Sequence, residues 1–384
     1  ATWDQISNSY SKMNESIDHY QTPLNACSLE SLQKTIETNE GSVWPIINSC
    51  YNLEKDGSRT GQMDLFLVKV PLKEDDSMKF AKPFASFSFP SGILDGKFFP
   101  KNTNSQTWWY ATAHSTGDIK LHTLTLNDDS KDPVFTCQTS LSSQISDKTG
   151  VPVLCLSINW DTTRGFDNAR MVSSYSNGKI AIHDVTLSEN GNPEIIERDC
   201  WLGHTLFKDN PTEVWSCSFA AEGQIVVSGG DDAVVKFWDT RALSRPVQIM
   251  RECFQAGVTV ISPHPRNPNL VAIGSYDETL GIFDIRYNSQ KLLCKSEKMG
   301  GGIWRIQWHP EFDDKILLAV MHGGCRVVQL EYDDFKPVPK IIKEFTKHES
   351  MAYGADWLVN EDNTIEAAAS CSFYDRAAYL WNTK

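Results

Sequence analysis

Leu202–Arg241 reads LGHTLFKDNPTEVWSCSFAAEGQIVVSGGDDAVVKFWDTR. It opens on Gly203-His204 and closes on Trp238-Asp239. Between them lie two alternating apolar runs, Val214–Phe219 and Gln224–Ser228, and a tight polar turn at Asp231-Asp232. Alternation with period two marks a strand whose successive side chains point to opposite faces. A four-stranded unit of this kind is apolar on both faces and cannot bury them alone. Copies must therefore stack around an axis.

A six-residue step from a turn residue to the aromatic that ends the third strand locates the copies. It runs from Asp232 to Trp238, from Asp277 to Phe283 in SYDETLGIFD, and from Asp375 to Trp381 in YDRAAYLW. Degenerate copies run from Asn177 to His183, from Thr116 to His122 and from Gly323 to Gln329. Units thus end near residues 123, 184, 239, 284, 330 and 382, and a seventh falls around Gln62–Val70, after the Gly57–Gly61 turn. The unit resembles a WD repeat, so the expected fold is all-β, a seven-bladed WD-repeat β-propeller. Buried polar groups must be paired. In WD repeats a buried His, a Ser or Thr, the turn Asp and the Trp commonly form one hydrogen-bonded set, so the resemblance implies such a set at His204, Ser228, Asp232 and Trp238, and a looser one at His348, Ser370, Asp375 and Trp381.

The composition is that of a globular protein, with 40% hydrophobic and 22% charged residues and 12 Trp among 384. Residues 1–20 read as a polar N-terminal tail, or as a strand that closes the ring; they lack the basic-then-apolar pattern of a signal peptide. Residues 21–384 read as a single propeller. No apolar run approaches the ~20 residues of a membrane span. A net charge of −13 argues against sequence-independent nucleic-acid binding. The ten cysteines are scattered without a CxxC and read as small thiols of a reducing cytoplasm. A monomer is expected. Pro71–Pro83, Phe99–Thr107, Leu126–Gly150 and Ser188–Glu197 are polar or turn-rich and read as surface loops between blades.

No GxSxG, GxGxxG, Walker loop or HExxH is present, and such a propeller reads first as a binding platform. Some words in the second half are not demanded by a generic repeat: GSYDE (Gly274–Glu278), GGGIWRIQWHP (Gly300–Pro310), MHGG (Met321–Gly324), YGADW (Tyr353–Trp357) and CSFYD (Cys371–Asp375). With SGGDD at Ser228–Asp232, they resemble the diphthine methylesterase family from about Trp201 to Trp381. The resemblance implies hydrolysis of the methyl ester of the diphthine intermediate on a modified histidine of elongation factor 2, in diphthamide biosynthesis. It also implies a substrate side chain that carries a trimethylammonium group. Such a site needs a base, donors for the developing oxyanion and partners for a fixed cation; aromatic faces and carboxylates supply the last.

In each repeat the start of strand a and the b–c turn share a rim. That rim collects Trp304, Arg305, Tyr353 and Trp215 from strand starts, and Tyr276, Glu278, His322 and Asp231 from turns. His322 is the candidate base, or else a turn or contact residue. Arg305 is the candidate for polarising the carbonyl, or else pairs with an acid. Glu278 is a second candidate base or cation partner. Trp304, Tyr276, Tyr353 and Trp215 with Asp231 are the candidate substrate enclosure. Asp277 and Asp375 fit structural turn positions. His264 and His309, each before a proline, read as turn formers at the opposite rim. A thiol nucleophile at Cys325 or Cys371 is the weaker option. No cofactor and no metal are expected. The alternative to an esterase is a non-catalytic adaptor that binds elongation factor 2 or trafficking partners.

Overall fold

The computed structural model describes residues 18–71, 77–100, 106–127, 133–137, 152–187, 193–207, 210–286 and 290–384. Seven antiparallel sheets, each with strands a to d in lateral order, form the blades. Blade 1 is Asn25–Ser31, Gly41–Leu53, Arg59–Lys69 and Ala85–Phe89; blade 2 is Ile93–Phe98, Thr107–His114, Ile119–Leu126 and Pro133–Cys137. Blade 3 is Cys155–Trp160, Ala169–Tyr175, Lys179–Leu187 and Pro193–Leu202; blade 4 is Ser216–Ala220, Ile225–Gly229, Val235–Asp239 and Gln248–Met250. Blade 5 is Val258–Pro263, Leu270–Ser275, Leu280–Asp284 and Lys291–Lys295; blade 6 is Arg305–Trp308, Lys315–Ala319, Cys325–Asp333 and Lys336–Phe345. Blade 7 takes its first three strands, Ala352–Val359, Glu366–Ser372 and Ala377–Asn382, from the C-terminal end and its outer strand, Asp18–Gln21, from the N-terminal end. The ring is closed by that pairing, Asp18 opposite Leu380 and Gln21 opposite Ala377.

Alternation explains the packing. In strand b of blade 4, Ile225 and Val227 face blade 5 while Val226 faces blade 3. Each gap between neighbouring blades is filled in this way. Tyr110 and Met63 sit between blades 1 and 2, Trp357 and Val327 between blades 6 and 7, and Trp44 and Leu380 between blades 7 and 1. Tryptophans also tie blades by hydrogen bonds. Trp44 Nε1 donates to the Val359 carbonyl at 2.9 Å, Trp160 to Lys97 at 3.1 Å, Trp308 to Ser262 at 3.0 Å and Trp357 to Gln307 at 2.9 Å. A buried indole N–H must find an acceptor, and here it finds the backbone of the preceding blade.

The expected polar sets form. His204 Nδ1 meets Asp232 at 2.8 Å and its Nε2 meets Ser228 Oγ at 2.8 Å, to which Trp238 Nε1 also donates at 2.8 Å. In blade 7, His348 Nε2 and Trp381 Nε1 both reach Ser370 Oγ, but Ser372 intervenes between His348 and Asp375. His264 and His309 are turn formers through their rings: each Nδ1 accepts two backbone N–H groups, those of Arg266 and Asn267 and those of Glu311 and Phe312.

The insertions are placed differently from expectation. Pro71–Pro83 and residues 188–192 join strands c and d within one blade, and Phe99–Thr107 joins a and b of blade 2. Strand d is the outermost, so its connection can lengthen without disturbing neighbouring blades. Strand d of blade 3 begins at Pro193, inside the segment read as loop. Residues 1–17, 72–76, 101–105, 128–132, 138–151 and 188–192 of the tail and insertions lie outside the described residues. Among the described cysteines, Cys27, Cys50, Cys155, Cys217, Cys325 and Cys371 are buried and free, whereas Cys200 is exposed. No helix among the described residues is long and apolar enough to cross a membrane.

Candidate functional site

Strand a of every blade faces the ring axis, so the innermost strands wall a central cavity of about 370 Å³. The lining continues to Trp160, His264 and Pro265 at the opposite rim, and one mouth lies at the rim where strands a begin. Trp304 is brought there by the preceding glycines. Gly300 has φ +92°, and a Cβ on Gly301 would stand 2.1 Å from the Val320 carbonyl oxygen. The run Gly300–Gly302 thus lets the approach to blade 6 pass against its own b–c turn, which only glycine permits.

Trp304 centres an aromatic arc. Its ring lies 5.6 Å from Trp215 and 4.9 Å from Tyr353. Tyr353 continues to Phe373 at 5.5 Å, and Phe373 to Tyr51 at 5.0 Å. Trp215, Trp304, Tyr353 and Tyr51 line the cavity. Trp215 Nε1 donates to Asp231 Oδ1 at 2.8 Å, which fixes an exposed carboxylate beside the arc. Burial pushes the Tyr353 phenol up to about 12, so it is a hydrogen-bond donor rather than an anion near neutrality. Tyr276 is 56% exposed on its turn and is not part of the cavity wall.

Arg305 sits below the mouth rather than on the rim. It is buried, with Nη2 3.0 Å from Asp95 Oδ1 across the channel and 3.4 Å from Ser28 Oγ. Burial works against its charge, but Asp95 and Glu30 outweigh burial and raise its pKa above the ordinary value. Asp95 Oδ2 accepts the Ile158 N–H at 3.2 Å, so the same carboxylate ties blade 2 to blade 3. One layer deeper, Lys97 pairs with Glu30 at 2.7 Å, and Gln307 Nε2 reaches the same oxygen at 3.2 Å. The step of two residues from Asp95 to Lys97 and from Arg305 to Gln307 is strand alternation read along the channel wall.

His322 is exposed on the b–c turn of blade 6. Glu278, on the blade 5 turn with φ +73°, pairs with Lys298 at 3.4 Å. Among the described residues, no hydrogen bond or ion pair joins His322, Glu278 and Arg305. Asp277 is occupied by its turn, accepting from the backbone N–H groups of Thr279 and Gln255. Cys325 is buried and its thiol is pushed up to about 12 by desolvation, which leaves little thiolate. No group of three or more acidic, His or Cys side chains with metal-holding geometry occurs among the described residues.

The residues that sequence reasoning missed come from the first two blades: Tyr51, Arg59, Asp95, Glu30 and Lys97. Tyr51 and Arg59 flank the Gly57 turn, and the Gly57–Gly61 turn signal was the only marker of their place.

Residues 201–239 match the family model described as WD domain, G-beta repeat. A diphthine methyltransferase homolog of Dictyostelium discoideum is 30% identical over 79% of this chain and 79% of its own length. The diphthine methyltransferase of Saccharomyces cerevisiae is 25% identical over 88% of this chain and 92% of its own. For that of Homo sapiens the values are 30% over 57% and 47%. A chain of the solved structure "Crystal Structure of Mitotic Checkpoint Complex" has a TM-score of 0.56 at 14% identity, covering 95% of this chain and 90% of that one, a likeness of fold alone. With an extended relative at this level of identity, and with a WD-repeat propeller in hand, the chain belongs to the diphthine methyltransferase family.

Proposed function

We propose that this protein acts in diphthamide biosynthesis as a methylesterase. It hydrolyses the methyl ester of the diphthine intermediate on the modified histidine of elongation factor 2, the acyl group passing to water and methanol leaving. The observation that carries this reading is the Trp215–Trp304–Tyr353 arc at the cavity mouth, with Asp231 bonded to Trp215. Adjoining aromatic faces beside a carboxylate suit a quaternary ammonium, which cannot donate a conventional hydrogen bond and is held by ring quadrupoles and charge. A cavity of about 370 Å³ suits one long side chain rather than a folded segment.

In this reading water attacks the ester carbonyl carbon while His322 takes its proton. The tetrahedral oxyanion collapses, the bond from carbon to the methoxy oxygen breaks, and methanol leaves with the proton that His322 returns. A carboxylate and one proton to solvent complete the balance. Glu278 adds negative charge at the rim for the trimethylammonium group. Arg305, its charge balanced by Asp95, forms the floor. The reaction is metal- and cofactor-free in this scheme and belongs to the cytoplasm.

The relatives' printed names speak of a methyltransferase; in the hydrolysis proposed here the acyl group passes to water and the methyl group leaves with its oxygen as methanol. The competing reading is a non-catalytic adaptor, favoured by the exposed rim aromatics Tyr276, Tyr374 and Phe207. The test is the intact mass of methyl-esterified elongation factor 2 after incubation with the purified protein. Loss of one methyl with an equal amount of methanol supports the esterase. An unchanged mass with a stable complex supports the adaptor.

A further inference from the structure

Arg59 opens strand c of blade 1, directly after the Gly57 turn. Its stem is pressed between Tyr51 and the Gly92 backbone: a Cβ on Gly92 would lie 2.9 Å from the Arg59 Cβ and 3.0 Å from that of Tyr51. The guanidinium lies over the Tyr51 ring at 5.9 Å. The side chain lines both the central cavity and an adjoining rim groove of about 860 Å³. Its Nε is buried without an acceptor, and no ion pair or hydrogen bond engages it among the described residues.

Arg305 and Arg326 also hold a buried Nε without an acceptor, but their other nitrogens are engaged, by Asp95 and by the Gly323 carbonyl. Arg305 is spent on Asp95, Arg170 on Asp161, Arg241 on Asp239 and Arg286 on Asp284. The acids nearest Arg59 in sequence are also committed. Glu54 Oε1 accepts from Thr60 and Asn52, and Asp56 Oδ1 from the Ser58 backbone and hydroxyl. A desolvated donor without a partner is costly unless something fills it in the working state. The arc therefore has two unlike ends, with a free guanidinium on Tyr51 and a carboxylate on Trp215.

We infer that Arg59 is a catalytic residue that donates to the ester carbonyl oxygen as it becomes the oxyanion, while the trimethylammonium group lies toward the Trp304–Trp215 end. The inference rests on the methylesterase reading and assigns within it a donor at the mouth, above Arg305, which is held by Asp95. Attack of water moves the carbonyl π electrons onto oxygen, to which the guanidinium N–H groups donate hydrogen bonds. Collapse returns those electrons to carbon as the methoxy bond breaks. The gain arises in the transition state, so it acts on kcat more than on KM.

The test is demethylation of methyl-esterified elongation factor 2, with kcat and KM measured for the parent, R59Q, R59K and D231N and with folding checked by thermal unfolding. R59Q is expected to lower kcat by about 100-fold with KM within about threefold, the scale of losing an oxyanion donor. R59K recovers part of kcat but stays at least about tenfold down, because an ammonium lacks the planar fork. D231N does the reverse and raises KM. A kcat within about threefold of the parent in R59Q, or a loss confined to KM, overturns the assignment while leaving the esterase standing. If R59Q does not fold, R59K alone decides on the same criterion. A parent that releases no methanol overturns both.

Discussion

His322 and Asp356 show how differently two single residues can be read. His322 is exposed on its turn, so His322→Ala should leave folding intact, and as the proposed base its loss should lower the demethylation rate by about 100-fold or more. Unchanged turnover in that variant, measured as methanol per minute, removes it from the reaction. Asp356 is fully buried at the blade 7–blade 1 seam, where it accepts the Ser31 N–H at 2.7 Å and Gln33 Nε2 at 2.8 Å. Desolvation first, and the charge of Glu30 second, raise its pKa to about 7. An acid whose folded pKa exceeds its unfolded value of about 4 favours the fold when protonated. Its contribution is complete below pH ~4 and is lost as pH rises through 7. Urea unfolding at pH 5.5 and 8 should therefore show a smaller alkaline loss in Asp356→Asn than in the parent, and equal losses would refute the assignment.

Among the elements, the strand that closes the ring carries the clearest prediction. Asp18–Gln21 completes blade 7, and Tyr20 packs on Phe66 at 4.9 Å and on Phe80 at 6.2 Å. Removing residues up to Gln21 should expose the edge of Ala377–Asn382 and lower the thermal midpoint by roughly 3 °C or more, since each lost kcal/mol is worth about 1–2 °C in a chain of 384 residues. A midpoint shift under about 1 °C would mean the strand adds little. The polar set in blade 4 makes a sharper local test. Ser228→Ala leaves His204 Nε2 and Trp238 Nε1 without their shared partner and should cost about 2–3 kcal/mol in denaturant unfolding. The repeats were legible because their signal is local: the turn residue, the alternation and the aromatic recur at one step. The first blade was read from a single strand and a turn, and with it went Tyr51 and Arg59. The channel floor was illegible for another reason. Asp95 and Arg305 meet across the axis, and no sequence spacing encodes a distance through a ring.

At the scale of the whole molecule, the buried histidines set the response to acid. Desolvation holds His122 at about 3 and His183 and His348 at about 4, and lowers His114 and His204 as well. These bases are depressed below their unfolded value of about 6.5. Their stabilisation is present above that value and is lost as pH falls toward 4. They outnumber Asp356, whose effect has the opposite sign, so the thermal midpoint should fall between pH 7.5 and 5, and a rise over that interval would contradict the burial of these rings. The architecture also bears on how the protein is made. Gln21 donates to the Asp375 backbone across 354 positions of chain, so the strand Asp18–Gln21 is made long before its partner Ala377–Asn382. Until then six blades stand in an open arc with two bare edges, and a ribosome stalled shortly before Ala377 releases a chain that cannot finish its ring. Such an intermediate favours pairing with a neighbour's edge, a hazard that ends only when the ring closes.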